Sequence, residues 1–221
     1  MKVLLFGASG MVGQGVLREC LLDPAVTEVL AVGRSPLGQA HAKLREIVMP
    51  DVGQLGPVEN ALGGYDACFW CLGAASAGMT EADYRRVTYD LTVSAATTLA
   101  RRNPAMTIVY VSGAGTDSTE HGRTMWARVK GQTENALLRR PFRAAYMFRP
   151  GIIRPMHGIR SKTRSYRVLY AVLAPFLVLV RLVAPNSMTS TERVGRAMIK
   201  VARDGAPNRR VGTRDINVLG A

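Results

Sequence analysis

The sequence predicts an α/β protein built on a doubly wound parallel sheet, and three observations predict it. Short apolar runs ending at glycine, proline or aspartate recur along the first 150 residues. Segments with helical spacing of apolar residues separate most of them, and a glycine-rich turn joins the first run to the first helix. Parallel strands need crossover connections, usually helical, and with both faces of the sheet covered they read as unbroken apolar runs.

Taken in order, "KVLLF" ends at Gly7 and leads into "MVGQGVLRECLL". There Val12, Val16, Leu17 and Leu21 carry the helical spacing until Asp23-Pro24 stops it. Further strands are predicted at "EVLAV" before Gly33, "EIVMP" before Asp51, "DACFWCL" before Gly73, "TIVYVS" before Gly113 and "AAYMFR" before Pro150. The longest helix is predicted from about Thr80 to Arg102. A second, "TMWARVKGQTENALL", sets Trp126 and Lys130 four apart on one face. "STERVGRAMIKVARDG" reads as a helix with a Ser/Thr cap and a closing glycine. With 221 residues and 48% hydrophobic content the chain suffices for a single domain, 1–221, with 151–190 as a basic and apolar C-terminal insert.

Charge is unevenly spread within the net +13. Residues 1–134 are close to neutral, whereas no acidic residue lies between Glu134 and Glu192 and ten basic ones do. An anionic partner is expected to meet the protein there. Cys20, Cys68 and Cys71 make an odd count, and glycine and serine interrupt "MKVLLFGASG" where a secretory leader needs an apolar stretch. These features predict a reduced, cytoplasmic protein. Cys68 and Cys71 form a C-x-x-C, but inside a buried strand residues three apart point to opposite faces, so both are expected in the core and no metal is expected.

"GASGMVGQG" places Gly7, Gly10 and Gly13 between strand and helix. Glycines let backbone approach a pyrophosphate, and free N–H groups at a helix start favour anions, so a dinucleotide is expected. The second strand ends "AVGRS", with Arg34 where a 2′-hydroxyl would need an acid. An arginine pairs with a 2′-phosphate, which predicts NADP(H) over NAD(H).

"LLFGASGMVGQGVL", "VGRS", "MPDV", "DACFWCLGAA", "VYVSGAGT", "VKGQTE" and "FRPGIIRP", in this order, resemble the atypical and extended short-chain dehydrogenase/reductases. Within these the similarity is to the NAD(P)-dependent epimerase/dehydratase-like group and its Tat-interacting-protein-like branch, over residues 1–200. The resemblance implies an NAD(P)-binding Rossmann fold. It implies Gly7, Ser9, Gly10, Met11 and Val12 at the pyrophosphate, Asp51 and Val52 at adenine, and Leu72 and Gly73 under the adenosine ribose. It further implies Pro150, Gly151 and Ile153 at the nicotinamide, and Lys130 on its ribose.

In this family a tyrosine four residues before the lysine handles the proton, and here that position is Trp126. Indole is a donor only and does not ionise near neutral pH. Ser112 precedes Trp126 by 14 positions, slightly farther than the family's catalytic serine, so it is expected either as a catalytic partner of Lys130 or as a support for the strand end. His157, just beyond the nicotinamide loop, and Tyr84 and Tyr89 on the long helix are alternative acids. A conjugated or quinone-like acceptor would need no protein acid.

Between Val168 and Val180 thirteen residues carry no charge, preceded by Arg160, Lys162, Arg164 and Arg167. About 20 apolar residues are needed to span a bilayer. The segment is expected to wall a pocket or form a homo-oligomer face, with peripheral association of 154–184 with an anionic membrane as the alternative. No nucleic-acid-binding motif is present. The expected activity is an oxidoreductase acting on a small-molecule substrate, and the alternative is a catalytically silent, NADP(H)-responsive regulatory or scaffold protein.

Overall fold

The structure, a computed structural model, describes residues 1–159 and 187–221. The apolar run 168–180, the basic residues Arg160 to Arg181 and most of the 154–184 segment lie outside the described residues.

Each glycine-terminated apolar run forms a strand, and the strands alternate with helices. The order is β1 (Lys2–Phe6), α1 (Met11–Leu22), β2 (Glu28–Gly33), β3 (Leu44–Val48), a 3₁₀ turn (Gly56–Leu62) and β4 (Ala67–Trp70). There follow α2 (Glu81–Arg85), a π turn (Arg86–Asp90), α3 (Leu91–Arg102), β5 (Thr107–Val111), α4 (Met125–Leu138) and β6 (Ala144–Arg149). After β7 (Ile152–Arg154) the description resumes with β8 (Met188–Ser190), α5 (Thr191–Asp204), β9 (Arg210–Gly212) and α6 (Thr213–Leu219). Seven strands form one parallel sheet in the order β3-β2-β1-β4-β5-β6-β9, and β7 pairs in parallel with β8. This is the doubly wound arrangement, with the order reversing between β1 and β4.

Successive strand residues point to opposite faces and fill two cores. Val3, Leu5, Phe69 and Phe148 pack with α1 and α5, and Leu4, Phe6, Trp70 and Met147 pack with α3. Cys68 joins the second core and Cys71 the first, and burial pushes both thiols above their ordinary range. Three strands stop short of the predicted runs, β3 at Val48, β4 at Trp70 and β5 at Val111. For β4 the cause is the neighbour: β1 ends at Phe6 and the chain turns at Gly7 (φ +81°), so past Trp70 only the Cys71 N–H reaches back, to the Phe6 carbonyl at 2.9 Å. The long helix starts at the Thr80 cap, whose hydroxyl accepts from the Asp83 N–H at 3.2 Å, and the π turn interrupts it.

The β1–α1 turn depends on absent side chains. A Cβ on Gly13 would lie 2.1 Å from the Gly7 carbonyl oxygen, so helix and loop meet backbone to backbone. Gly13→Ala should therefore lower stability by roughly 1–3 kcal/mol in urea unfolding. Gly56→Ala, whose Cβ would enter open space, should change it by less than about 0.5 kcal/mol. Equal midpoints for the two variants would contradict this packing.

Candidate functional site

One row of residues sets where chemistry can occur. Val32, Phe6, Trp70, Tyr110 and Met147 stand in register across β2, β1, β4, β5 and β6. The chain therefore leaves the sheet at one edge, through Arg34, Gly7, Leu72, Ser112 and Arg149. Ligands of open α/β sheets bind outside this carboxyl edge, at the point where strand order reverses.

A cleft of about 170 Å³ lies there. Of the sequence-predicted residues, Gly7, Ser9, Arg34, Val52 and Leu72 line it. Gly10 caps α1, its N–H donating to the Gly7 carbonyl at 2.9 Å. Met11 and Val12 open the helix, where N–H groups have no intrahelical acceptor. Arg34 is exposed and forms no ion pair among the described residues. Asp51 does not line the cleft: its carboxylate accepts from the Gly53 N–H at 2.8 Å and the Gln54 amide at 2.9 Å, holding the turn that buries Val52. Gly73 is exposed just beyond Leu72.

Sequence reasoning missed Ser35, Leu37, Glu46 and Ile47, which also line the cleft. Ser35 follows Arg34 directly and was readable. Glu46 enters only through the β2–β3 register, opposite Ala31. Its carboxylate accepts from the Leu37 N–H at 2.9 Å and ties down the loop after Arg34.

A second cluster forms farther along the same edge. Lys130 on α4 donates from Nζ to the Ser112 carbonyl, just past β5. Burial pulls Lys130 down to about 8, against a smaller opposing pull from Glu134 one turn later. Glu134 is fully buried; it accepts from the Ser112 hydroxyl at 2.6 Å and from Arg149 Nε at 3.0 Å. Gly131 lets the 117 backbone press against α4, since a Cβ there would fall 1.7 Å from the Asp117 carbonyl oxygen. The Trp126 ring lies against the loop after β5, where a Cβ on Gly115 would come 3.4 Å from Cη2.

The other predicted residues lie elsewhere. His157 (φ +55°) sits 3.3 Å from Glu192 at the start of α5, exposed and not among the residues lining the cleft, where the sequence placed it. The physical reason is the β7–β8 pairing, after which Met156 N–H donates to Thr191 and docks the loop on α5. Tyr84 is buried, and Tyr89 lies under the Arg85 guanidinium at 4.1 Å. The Pro150 carbonyl accepts from Ala114 N–H at 2.8 Å, Gly151 N–H donates to the Thr213 hydroxyl at 2.9 Å, and Ile153 is buried in β7.

The chain matches no family model. It is 30% identical over 182 residues to "Protein fmp52, mitochondrial" of Aspergillus clavatus, covering 79% of this chain and 75% of the relative. It is also 30% identical over 170 residues to the Emericella nidulans fmp52, covering 74% and 70%. The chain belongs to the fmp52 family. HTATIP2 of Rattus norvegicus is 26% identical over 223 residues, covering 92% of this chain and 90% of that protein, which supports the Tat-interacting-protein-like branch. Gre2 from Candida albicans, solved in complex with NADPH, superposes with a TM-score of 0.72 at 13% identity over 96% of this chain and 77% of that one. MoeE5, solved with UDP-glucose and NAD, gives 0.67 at 18% identity over 94% and 74%. The fold of this fmp52-family chain is thus the NAD(P)-binding Rossmann fold of short-chain dehydrogenase/reductase-like enzymes. The expectation of a cytoplasmic protein is overturned, because the fmp52 relatives are named as mitochondrial; free cysteines do not separate the two compartments.

The Lys130 environment has a measurable consequence. Between about pH 8 and the ordinary 10.5 the unfolded chain holds the proton that the folded chain has lost, so this group makes stability rise with pH across that window. Lys130→Met should therefore gain stability over the unsubstituted chain at pH 7.5, and that advantage should shrink by roughly 2–3 kcal/mol by pH 10.5. Urea unfolding of both proteins across the window checks this; a constant difference would mean an ordinary lysine.

Proposed function

We propose that this fmp52-family chain binds NADP(H) along the carboxyl edge of its sheet and acts as an oxidoreductase on a small molecule. The observation that carries the reading is the cleft itself: glycine backbone at one end, and at the other an exposed arginine with no ion-pair partner among the described residues. The Gly7–Val12 turn offers N–H groups and a helix N-terminus to a pyrophosphate. Arg34 and Ser35 offer a guanidinium and a hydroxyl to a 2′-phosphate. Val52, Ile47 and Leu72 supply apolar walls for adenine. Lys130 holds a positive charge at the same edge, suited to the hydroxyls of the second ribose, with Pro150 and Gly151 beside the nicotinamide.

When bound, the nicotinamide supplies or takes a hydride. The chain's own residues bind and orient, and none at position 126 can hand over a proton. Substrates that need no such donor fit best, so we assign conjugated or quinone-like acceptors, whose oxygens take protons from water. A second reading, an NADP(H)-responsive regulatory protein without turnover, is favoured by Trp126 and by the burial of Ser112.

Fluorescence titration should give tighter binding of NADPH than of NADH by at least about tenfold. Arg34→Ala should remove that preference with little change for NADH, consistent with losing a charge-assisted pair worth about 1.5–3 kcal/mol. Tighter NADH binding, or unaltered NADPH binding in the variant, would overturn the cofactor assignment. With binding established, NADPH oxidation by a quinone panel but not by simple ketones supports the oxidoreductase. Failure of every acceptor, with Trp126→Tyr also inert, supports the regulatory protein.

A further inference from the structure

The Ser112 hydroxyl lies within hydrogen-bond distance of two acceptors, Glu134 Oε1 at 2.6 Å and the Phe148 carbonyl at 3.0 Å. A hydroxyl has one proton to donate. Here that proton faces a carboxylate with no solvent exposure, and the serine itself is only 6% exposed. Turning it toward a substrate oxygen would strip a buried anion of a partner, which is costly in a low-dielectric interior. The rest of the serine is equally committed: its N–H donates to the Phe148 carbonyl at 2.8 Å, and its carbonyl receives the Lys130 ammonium.

Glu134 is in turn fixed from the far side. Arg149, at the end of β6, donates to it through Nε at 3.0 Å and through a terminal nitrogen at 2.5 Å. Ser112 thus meets α4 at two residues one turn apart, Glu134 through its side chain and Lys130 through its backbone. We infer that Ser112 is a positioning residue for Lys130, held by Glu134 and Arg149, and not a group that contacts the substrate. The inference rests on the proposed role of Lys130 as a cofactor-ribose residue and deepens it: the lysine's reach is set by a serine whose hydroxyl never enters the site.

A double-mutant cycle on NADPH binding tests this, with Ser112→Ala, Lys130→Met and their combination titrated by fluorescence. Ser112→Ala should weaken NADPH binding about tenfold when Lys130 is present and less than twofold when it is methionine, because the serine acts through the lysine. Unaltered binding in Ser112→Ala would overturn the inference, as expected of a serine that contacts only substrate. Equal losses in both backgrounds would also overturn it, since a general softening of the fold does not need the lysine. If Ser112→Ala does not fold, Ser112→Cys, with its weak donor, enters the same cycle under the same criteria. If the unsubstituted protein binds no NADPH, the cofactor reading itself fails and this inference falls with it. Binding by the unsubstituted protein without coupling defeats the inference alone.

Discussion

The carboxylate of Glu134 carries no solvent exposure, and much of the second cluster follows from satisfying it. A buried charge is tolerated only when paired and hydrogen-bonded. Arg149 supplies the opposite charge, the Ser112 hydroxyl supplies a third donor, and Arg210 on β9 stands 3.6 Å away. These partners come from β6, β9 and the residue just past β5, so one carboxylate ties α4 to three neighbouring strand ends. Removing one member of such a set typically costs about 3–5 kcal/mol. Arg149 also reaches the Ser118 hydroxyl at 2.5 Å, which adds the loop after β5 to the same node. Lys130 lies one turn before Glu134, and its position is a consequence of this arrangement.

The two ends of the edge use different physics. At β1 the elements on offer are backbone dipoles, held in place because the missing side chains of Gly7 and Gly13 let the loop pack backbone to backbone against Leu72 and α1. Such a surface offers oriented N–H groups without the desolvation cost of a full charge. At α4 the element is a half-buried ammonium, with its pKa lowered to about 8 by burial. The register row from Val32 to Met147 puts both ends on one side of one sheet, so an extended ligand with an anionic middle can meet both.

The fold was legible because parallel strands covered on both faces leave unbroken apolar runs, and six such runs became β1 to β6. Their ends were less legible, since a strand stops where its neighbour stops: β4 ends at Trp70 because β1 ends at Phe6. Gly7, Arg34 and Lys130 could be placed from sequence because each follows a strand end or sits at a fixed helical offset. Glu46 and Glu134 could not, because the first depends on sheet register and the second on partners 15 and 22 residues away. His157 misled for the same reason. Its closeness in sequence to Pro150 pointed to the cleft, whereas the β7–β8 pairing carries it to Glu192 on α5.

Trp126 and Lys130 share a helix face, yet they answer to different constraints. The indole lies over the loop after β5 and contributes apolar contact there, a role that any large flat side chain of low polarity would serve. The lysine opposes folding at neutral pH, since its charged form is disfavoured by burial. An ammonium has three donors, and the Ser112 carbonyl takes one of them. An apolar side chain would fill the same volume without the desolvation cost. Within the fold, burial weighs against a cation at this point more than Glu134 weighs for it, whereas a ligand rich in hydroxyl oxygens would supply the ammonium with further acceptors. Trp126 packs on the loop after β5, whereas the Lys130 ammonium is held at the Ser112 carbonyl, so a change at position 126 leaves the lysine one turn away in place.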